Sequence, residues 1–343
     1  MSQGRDMSTI RDVARKAQVS IATVSRVLNN SEHRVNAETR TRVLAAISEL
    51  DYSPNAFAKS LSTQQAHTVE VIIPDISNPY YAQLVRGVQD AADESGYTVV
   101  LHNTDQNSVK VKGALRLLRE RLVDGVIFGG GVIPAKEVVK IAGDRIDRAV
   151  VIGRQDIALP AVRIDNIEPT VDIVRHLVSL GHKRIGFVDG PFDSNTMQDR
   201  FVGYQRGLEA YGLAFDPALV NWGPLALDQG YHRGGALLDR VDKRPTAIIA
   251  GNDQLAVGVL RAAEDRGLRT PCELAVVGFD NTPLSRFYRP SITTIDIPRY
   301  RLGYTAMNLL LDRMKGKAVP EVTWLSTRLM VRGSTVEEPF WAT

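Results

Sequence analysis

Only one cysteine occurs in the 343 residues, no run is long and apolar enough to span a bilayer, and the formal net charge is only +3. The lone Cys272 excludes an internal disulfide and points to a reducing compartment. Nothing near it in sequence is arranged to lower its pKa, so a nucleophilic role is not expected. The first residues lack the apolar core of a signal peptide, so a cytoplasmic protein without a membrane partner is expected. Met1 to Ser8 is polar, and Met7 could serve as the start. Enzyme signatures are missing too. Gly129-Gly130-Gly131 runs into Val and Ile rather than Lys-Ser/Thr, which excludes a phosphate-cradling loop. There is no His-Glu-x-x-His or Cys-x-x-Cys pattern, and the six histidines are scattered, with His182 at a strand entry. Neither catalysis, a metal nor a cofactor is expected.

What is present is unevenly distributed. Residues 1–66 hold nine Lys or Arg against six Asp or Glu, and the remainder carries equal numbers of each sign. A basic head on a neutral body suits a polyanion partner at one end. Three short amphipathic helices fit the head. Thr9 can cap the first, with Asp12 at capping-box spacing and Ile10, Val13, Ala14 and Ala17 on one face. Gln18-Val19-Ser20 interrupts it, and Ser20 can cap a second helix that turns Val24, Val27 and Leu28 inward. Asn36 can cap a third, with Val43, Leu44, Ile47 and Leu50 inward. A short helix-compatible stretch, Tyr52 to Leu61, precedes a polar linker.

From Val69 the pattern becomes strands alternating with helices. Apolar runs at Val69–Ile73, Thr98–Leu101, Gly125–Phe128 and Ala149–Ile152 form one series, and Arg184–Val188, Ala247–Ala250 and Leu274–Phe279 a second. Alternating β and α units imply parallel sheets with helices on both faces, here two doubly wound lobes. Ligands then bind beyond the carboxyl ends of strands, where Asp75, Arg154, Asp189 and Asp280 lie. The expected division is a helix-turn-helix head over 1–51, a hinge and linker over 52–66 and a core over 67–343. Lobe 1 takes about 67–165 and 296–325, lobe 2 about 166–295 and 326–343.

A capped helix, a three-residue turn and a second helix form a helix-turn-helix, whose second helix enters the DNA major groove. With Val24, Val27 and Leu28 inward, Ile21, Ala22, Ser25, Arg26 and Asn29 point outward. Arg26 can donate two hydrogen bonds to guanine, while Ile21 and Ala22 can touch thymine methyls. Thr9, Ser20, Thr23, Ser25 and Asn29 are short polar groups suited to phosphates.

The run from Thr9-Ile-Arg-Asp-Val-Ala through Thr23-Val-Ser-Arg-Val-Leu-Asn29 closely resembles the head of the lactose/galactose repressor family. The resemblance continues through Leu50-Asp-Tyr-Ser-Pro-Asn-Ala-Phe-Ala-Lys-Ser-Leu61, Ile73-Pro-Asp-Ile-Ser-Asn-Pro-Tyr-Tyr81, Asn252-Asp253 and Val277-Gly-Phe-Asp-Asn281. It implies that Ile21, Ala22 and Arg26 read bases. It also implies a hinge helix over Asn55 to Leu61, including Ala58, with Leu61 wedging into the minor groove of a pyrimidine–purine step. The core is similar both to such repressors and to periplasmic sugar-binding proteins. On that likeness Asn78, Tyr80, Tyr81, Arg154, Arg200, Asn252 and Asp280 are the expected effector contacts, with Thr196 and Ser194 weaker ones. Two departures stand out: Gly153 where many sugar binders carry Asp, and Leu225 near a usual aromatic. A sugar is the expected effector, with a sugar acid, sugar phosphate or nucleobase open. A homodimer on a pseudo-palindromic operator is expected, since Glu337 to Thr343 holds no leucine heptad. A carbohydrate-transport receptor is the rival reading, which the basic head opposes.

Overall fold

The computed structural model describes residues 8–28, 35–52, 65–131 and 135–337. The chain divides into two compact units, 1–66 and 67–343. In the first, α1 (Ile10–Ala17), α2 (Ile21–Leu28) and α3 (Ala37–Glu49) enclose a small core of Val13, Ala14, Ala17, Val24, Val27, Val43 and Ala46. Local chemistry sets each boundary. The Asp12 carboxylate accepts the Thr9 N–H at 3.0 Å and the Thr9 hydroxyl accepts the Asp12 N–H at 3.4 Å, which closes the capping box. Gln18 ends α1 in the left-handed region at φ 54°. The Ser20 hydroxyl then accepts the Thr23 N–H, and Asn36 Oδ1 the Thr39 N–H. Leu44 corrects the sequence reading: expected inward, it is 49% exposed, and Ala46 is buried in its place. One step along a helix rotates a side chain by about 100°, so a face centred on Val43 continues to Ala46 and Ile47 and leaves Leu44 on the flank.

The second unit holds two six-stranded sheets. One comprises β1 (Thr68–Ile73), β2 (Thr98–Asn103), β3 (Gly125–Phe128), β4 (Ala149–Ile152), β5 (Ala161–Ile164) and β11 (Val322–Leu325), ordered β11-β5-β4-β3-β1-β2 and parallel throughout. The other comprises β6 (Ile185–Asp189), β7 (Val220–Trp222), β8 (Ala247–Ala250), β9 (Ala275–Asp280), β10 (Thr293–Asp296) and β12 (Arg328–Met330), ordered β12-β10-β9-β8-β6-β7. Only β12 runs antiparallel in it. Helices α4 (Pro79–Glu94), α5 (Ser108–Arg119) and α6 (Ala135–Ala142) belong to the first lobe. Helices α7 (Ile167–Ser179), α8 (Asn195–Ala210), α9 (Leu227–Leu238), α10 (Asp253–Glu264) and α11 (Pro283–Phe287) belong to the second, and α12 (Arg299–Met314) returns to the first. The chain thus passes between the lobes after β5, after β10 and between β11 and β12.

Helix α12 lies unusually close to α4. A Cβ on Gly87 would collide with the Tyr300 carbonyl, and one on Gly303 with that of Leu84, so each glycine admits the other helix's backbone. The central strands are buried on both faces, as parallel sheets require.

Within β1 a buried carboxyl group breaks the apolar pattern. Glu70 on β1 is fully buried; its Oε1 lies 3.1 Å from His102 Nδ1, and its Oε2 has no partner among the described residues. Burial lifts its carboxyl from the ordinary 4.5 to about 8. Between those values the unfolded chain releases the proton while the folded chain keeps it, so stability falls as pH rises through that window. Glu70→Gln should therefore raise the melting temperature with a pH-dependent gain, near zero below pH 4 and on the order of 1–3 kcal/mol at pH 8. Thermal melts across that range check it. A loss at pH 8 would mean that an ionised Glu70 is held by His102.

Candidate nucleic-acid interface and effector cleft

On α2 the inward positions Val24 and Val27 leave Ile21, Ala22 and Arg26 exposed on the opposite face. Ile21 is 46% exposed, an unusual position for an isoleucine in a unit with so small a core. Thr9, Ser20 and Thr23 are partly engaged in capping, and the Ser20 and Thr23 hydroxyls lie 2.9 Å apart. Ser25 is half-buried on the same helix. Asn29, Asn55, Ala58 and Leu61 lie outside the described residues.

In the second unit, a cavity of about 220 Å³ opens between the lobes at the carboxyl ends of their strands. It is lined by Asn78, Tyr80, Tyr81, Thr196, Arg200, Asn252 and Asp280, and also by Ser194, Gly153 and Leu225. Each is placed by a local device. Asn78 caps α4, its Oδ1 accepting the Tyr80 N–H at 3.0 Å, and this sets Tyr80 and Tyr81 edge-to-face with ring centroids 5.0 Å apart. Asn252 caps α10 through Oδ1 to the Leu255 N–H at 2.8 Å; its buried Nδ2 has no partner among the described residues. An orphaned buried donor beside a cavity points to a ligand acceptor.

Arg200 enters from α8 and is 5% exposed. Its Nε donates to Asn166 Oδ1 at 3.0 Å, its Nη1 donates to the Gly251 carbonyl, and its guanidinium lies 3.8 Å over the Phe279 ring. Asp280 closes β9 with φ +105°, and Asn281 follows at +52°, two successive non-glycine residues in a conformation that L side chains seldom adopt. Burial raises the Asp280 carboxyl well above the ordinary range, the Arg200 guanidinium opposes this, and Asp253 adds to it.

Arg154 is the expected contact that does not reach the cavity lining. It is 42% exposed, and its Nε lies 3.2 Å from Asp199 Oδ2, so a neighbouring carboxylate on α8 takes the guanidinium that the sequence reading assigned to the cleft. Gly153, read as a missing acceptor, has φ +91°, where a side chain of any L residue is strained. Sequence reasoning missed Asn166, which lines the cavity and holds Arg200. Its signal, the pair Asp165-Asn166 after a strand, is faint because β5 is only four residues long and is broken by Arg163. Of the two residues set aside earlier, Cys272 is exposed and donates to Glu337 Oε1, which raises its pKa, and His182 Nδ1 lies 3.0 Å from Thr246 Oγ1.

Residues 9–55 match the model of bacterial regulatory proteins, lacI family, and residues 174–335 match a periplasmic binding protein-like domain. Catabolite control protein A of Priestia megaterium is 39% identical over 330 residues, covering 95% of this chain and 99% of that protein. The chain belongs to the lacI family of bacterial regulatory proteins. A lac repressor dimer bound to operator and the anti-inducer ONPF matches with 30% identity and a TM-score of 0.86, covering 96% of this chain and 99% of that one. A transcriptional regulator CelR–cellobiose complex matches with 31% identity and a TM-score of 0.72, covering 95% and 99%. This lacI-family chain is accordingly a DNA-binding transcriptional regulator, with a helix-turn-helix head and a two-lobed sensing core. The head distinguishes it from a transport receptor of the same core fold. Among the described residues no helix is long and apolar enough to cross a membrane.

Behind the Arg200 contact, Asp189 is fully buried with its Oδ1 accepting the Gly190 N–H at 2.7 Å, and burial lifts its carboxyl to about 6. Gly251 is the residue that makes room for it, since a Cβ there would overlap Asp189 Oδ1. Gly251→Ala should destabilise the core by about 1–3 kcal/mol, the usual result of overpacking. A thermal melt checks it, and an unchanged midpoint would show that the Asp189 side chain can swing aside.

Proposed function

We propose that this regulator reads operator bases with Ile21, Ala22 and Arg26 and responds to an uncharged, polyhydroxylated ring compound held in the interlobe cleft. The observation that carries the effector reading is the unpartnered Asn252 Nδ2 in a cavity that also presents Arg200, Asp280 and two tyrosine rings. Arg and Asn donate to hydroxyls, Asp280 accepts from them, and the rings cover an apolar sugar face. Among the described residues Arg200 is the only cationic side chain in the lining, and two of its nitrogens are already engaged. That supply of charge favours a neutral sugar over a sugar phosphate. The likeness to a transcriptional regulator CelR–cellobiose complex supports a sugar as the effector class. The chain binds this effector without transforming it, works in the cytoplasm, and acts as a homodimer on a pseudo-palindromic operator. Thr9, Ser20, Thr23, Ser25 and Asn29 contact phosphates, and Asn55, Ala58 and Leu61 form the minor-groove hinge. Ligand-driven lobe closure changes operator affinity by roughly 1–3 kcal/mol of coupling.

A thermal-shift screen of the full chain against cellobiose, D-ribose, D-glucose, adenine and D-glucose 6-phosphate tests the effector class. A shift with a neutral sugar alone is expected, and a shift only with the phosphate would overturn the reading. With the sugar so found, Asp280→Asn should weaken calorimetric affinity about ten- to a hundredfold, since one acceptor oxygen becomes a donor facing a hydroxyl. Equal affinity would leave Asp280 a turn residue. On the DNA side, Arg26→Ala should cost about 1–3 kcal/mol on the sequence the wild type selects from a random pool, and much less on unselected DNA. Equal losses on both would make Arg26 a phosphate contact.

A further inference from the structure

Asn281 follows Asp280 directly, is 5% exposed and is not part of the cleft lining. Its polar groups are nonetheless all used. Its N–H donates to Thr294 Oγ1 at 3.3 Å, and its carbonyl accepts Arg299 Nη2 at 2.8 Å. Its Oδ1 accepts Arg332 Nη2 at 2.7 Å and the Ser285 hydroxyl at 3.3 Å, and its Nδ2 donates to Asp296 Oδ1 at 2.8 Å. The location of these partners is informative. Asp296 is the last residue of β10 and Arg299 the first of α12, so they bracket the passage from lobe 2 to lobe 1. Arg332 lies two residues past β12, the strand that arrives from the other passage.

We infer that Asn281 is a positioning residue that couples the cleft to the lobe crossovers: it converts a displacement of Asp280 into a displacement of the segment Asp296–Arg299. The residue type suits the task. A left-handed φ of 52° favours asparagine or glycine, and of the two only asparagine offers both a donor and an acceptor. The turn itself is rigid on its other side. Buried Asp253 accepts the Thr282 N–H at 2.6 Å, the Thr282 hydroxyl at 2.8 Å and the Thr294 hydroxyl at 2.7 Å. A Cβ on Gly278 would press on the same carboxylate, at 2.6 Å from Oδ1. With Asp253 clamping the turn, motion of Asp280 has few outlets, and Asn281 supplies a direct one to the crossover. In register, Asp296 also lies opposite Asp280 in the β9–β10 ladder, so the side-chain bond doubles a backbone connection. Because coupling is reciprocal, the same bond lets lobe geometry set the pose of Asp280.

This inference rests on the cleft as the effector site, and its test is arranged to be independent of any sugar. In a Cys272→Ser background, spin labels on Ile76→Cys and Asp193→Cys report the distance across the cleft mouth, both positions being exposed. The distance distribution is measured without additive for four proteins: the background, Asn281→Asp, Asn281→Gly, and the double variant Asn281→Asp with Asp296→Asn. Asn281→Asp sets two acceptors against each other while keeping the contacts to Arg332 and Ser285. Asn281→Gly keeps the backbone conformation and removes the side chain. The double variant restores the bond with donor and acceptor exchanged. Broadening of the distribution by roughly twofold in both single variants, with return to the background width in the double, is the expected result. Unchanged width in the single variants, or a double variant as broad as they are, would overturn the inference. If a single variant does not fold well enough to label, Asp296→Ala breaks the same bond from the other side and is judged by the same criterion. The sugar screen can fail while this measurement succeeds, or the reverse, so the two readings fall separately.

Discussion

A guanidinium taken out of water must find acceptors, and the arrangement around Arg200 follows from that need. Its nitrogens are met by Asn166 from the start of lobe 2 and by the Gly251 carbonyl at the end of β8, and its flat face by Phe279 of β9. Three segments that are far apart in sequence are thereby held in register around one charge. The surrounding acids, Asp189, Asp253 and Asp280, are all raised by burial and all feel the Arg200 or Arg299 cations, so the site is close to neutral only as a group. Removing Arg200 would leave buried Asp189 and Asp280 without the cation that most opposes their burial, which costs more than the pair contributes when intact.

The backbone is shaped to the same end. Close approach of α4 and α12 through Gly87 and Gly303 fixes the helix that begins at the crossover residue Arg299, and Gly251 makes room for Asp189 beneath the cleft floor. The positive φ values of Asp280 and Asn281 sit where the cavity lining meets the side chain bonded to Asp296. Strain of this kind persists only where neighbours over-determine it, and here Asp253, Thr294 and Arg332 do so.

Much of the head was legible because its determinants are local. The capping box of Thr9 and Asp12, the cap at Asn36 and the i, i+3, i+4 spacing of small apolar residues each act within a few positions, so pattern alone locates three helices and their outward face. Leu44 was misplaced because a neighbour on the flank of a helical face looks like a core residue until the packing partners are known. In the core, the strands with uninterrupted apolar runs were readable, even the four-residue β3, β4 and β8. The short β5, β7, β10, β11 and β12 were not, since polar residues such as Arg163, Asn221, Thr293, Thr323 and Arg328 break the apolar run in each.

By itself, the sequence determined the order of the units, the chemistry of the reading helix and the cleft residues that stand at strand ends or helix caps, because each rests on short-range geometry. Tertiary structure alone decided three other matters. It turned Arg154 from the cleft to Asp199, a choice between acceptors that no spacing encodes. It brought Asn166 to Arg200 across 34 residues of chain. It also tied Asn281 to Asp296, Arg299 and Arg332, since only folding of two lobes through shared crossovers places those groups within hydrogen-bonding distance.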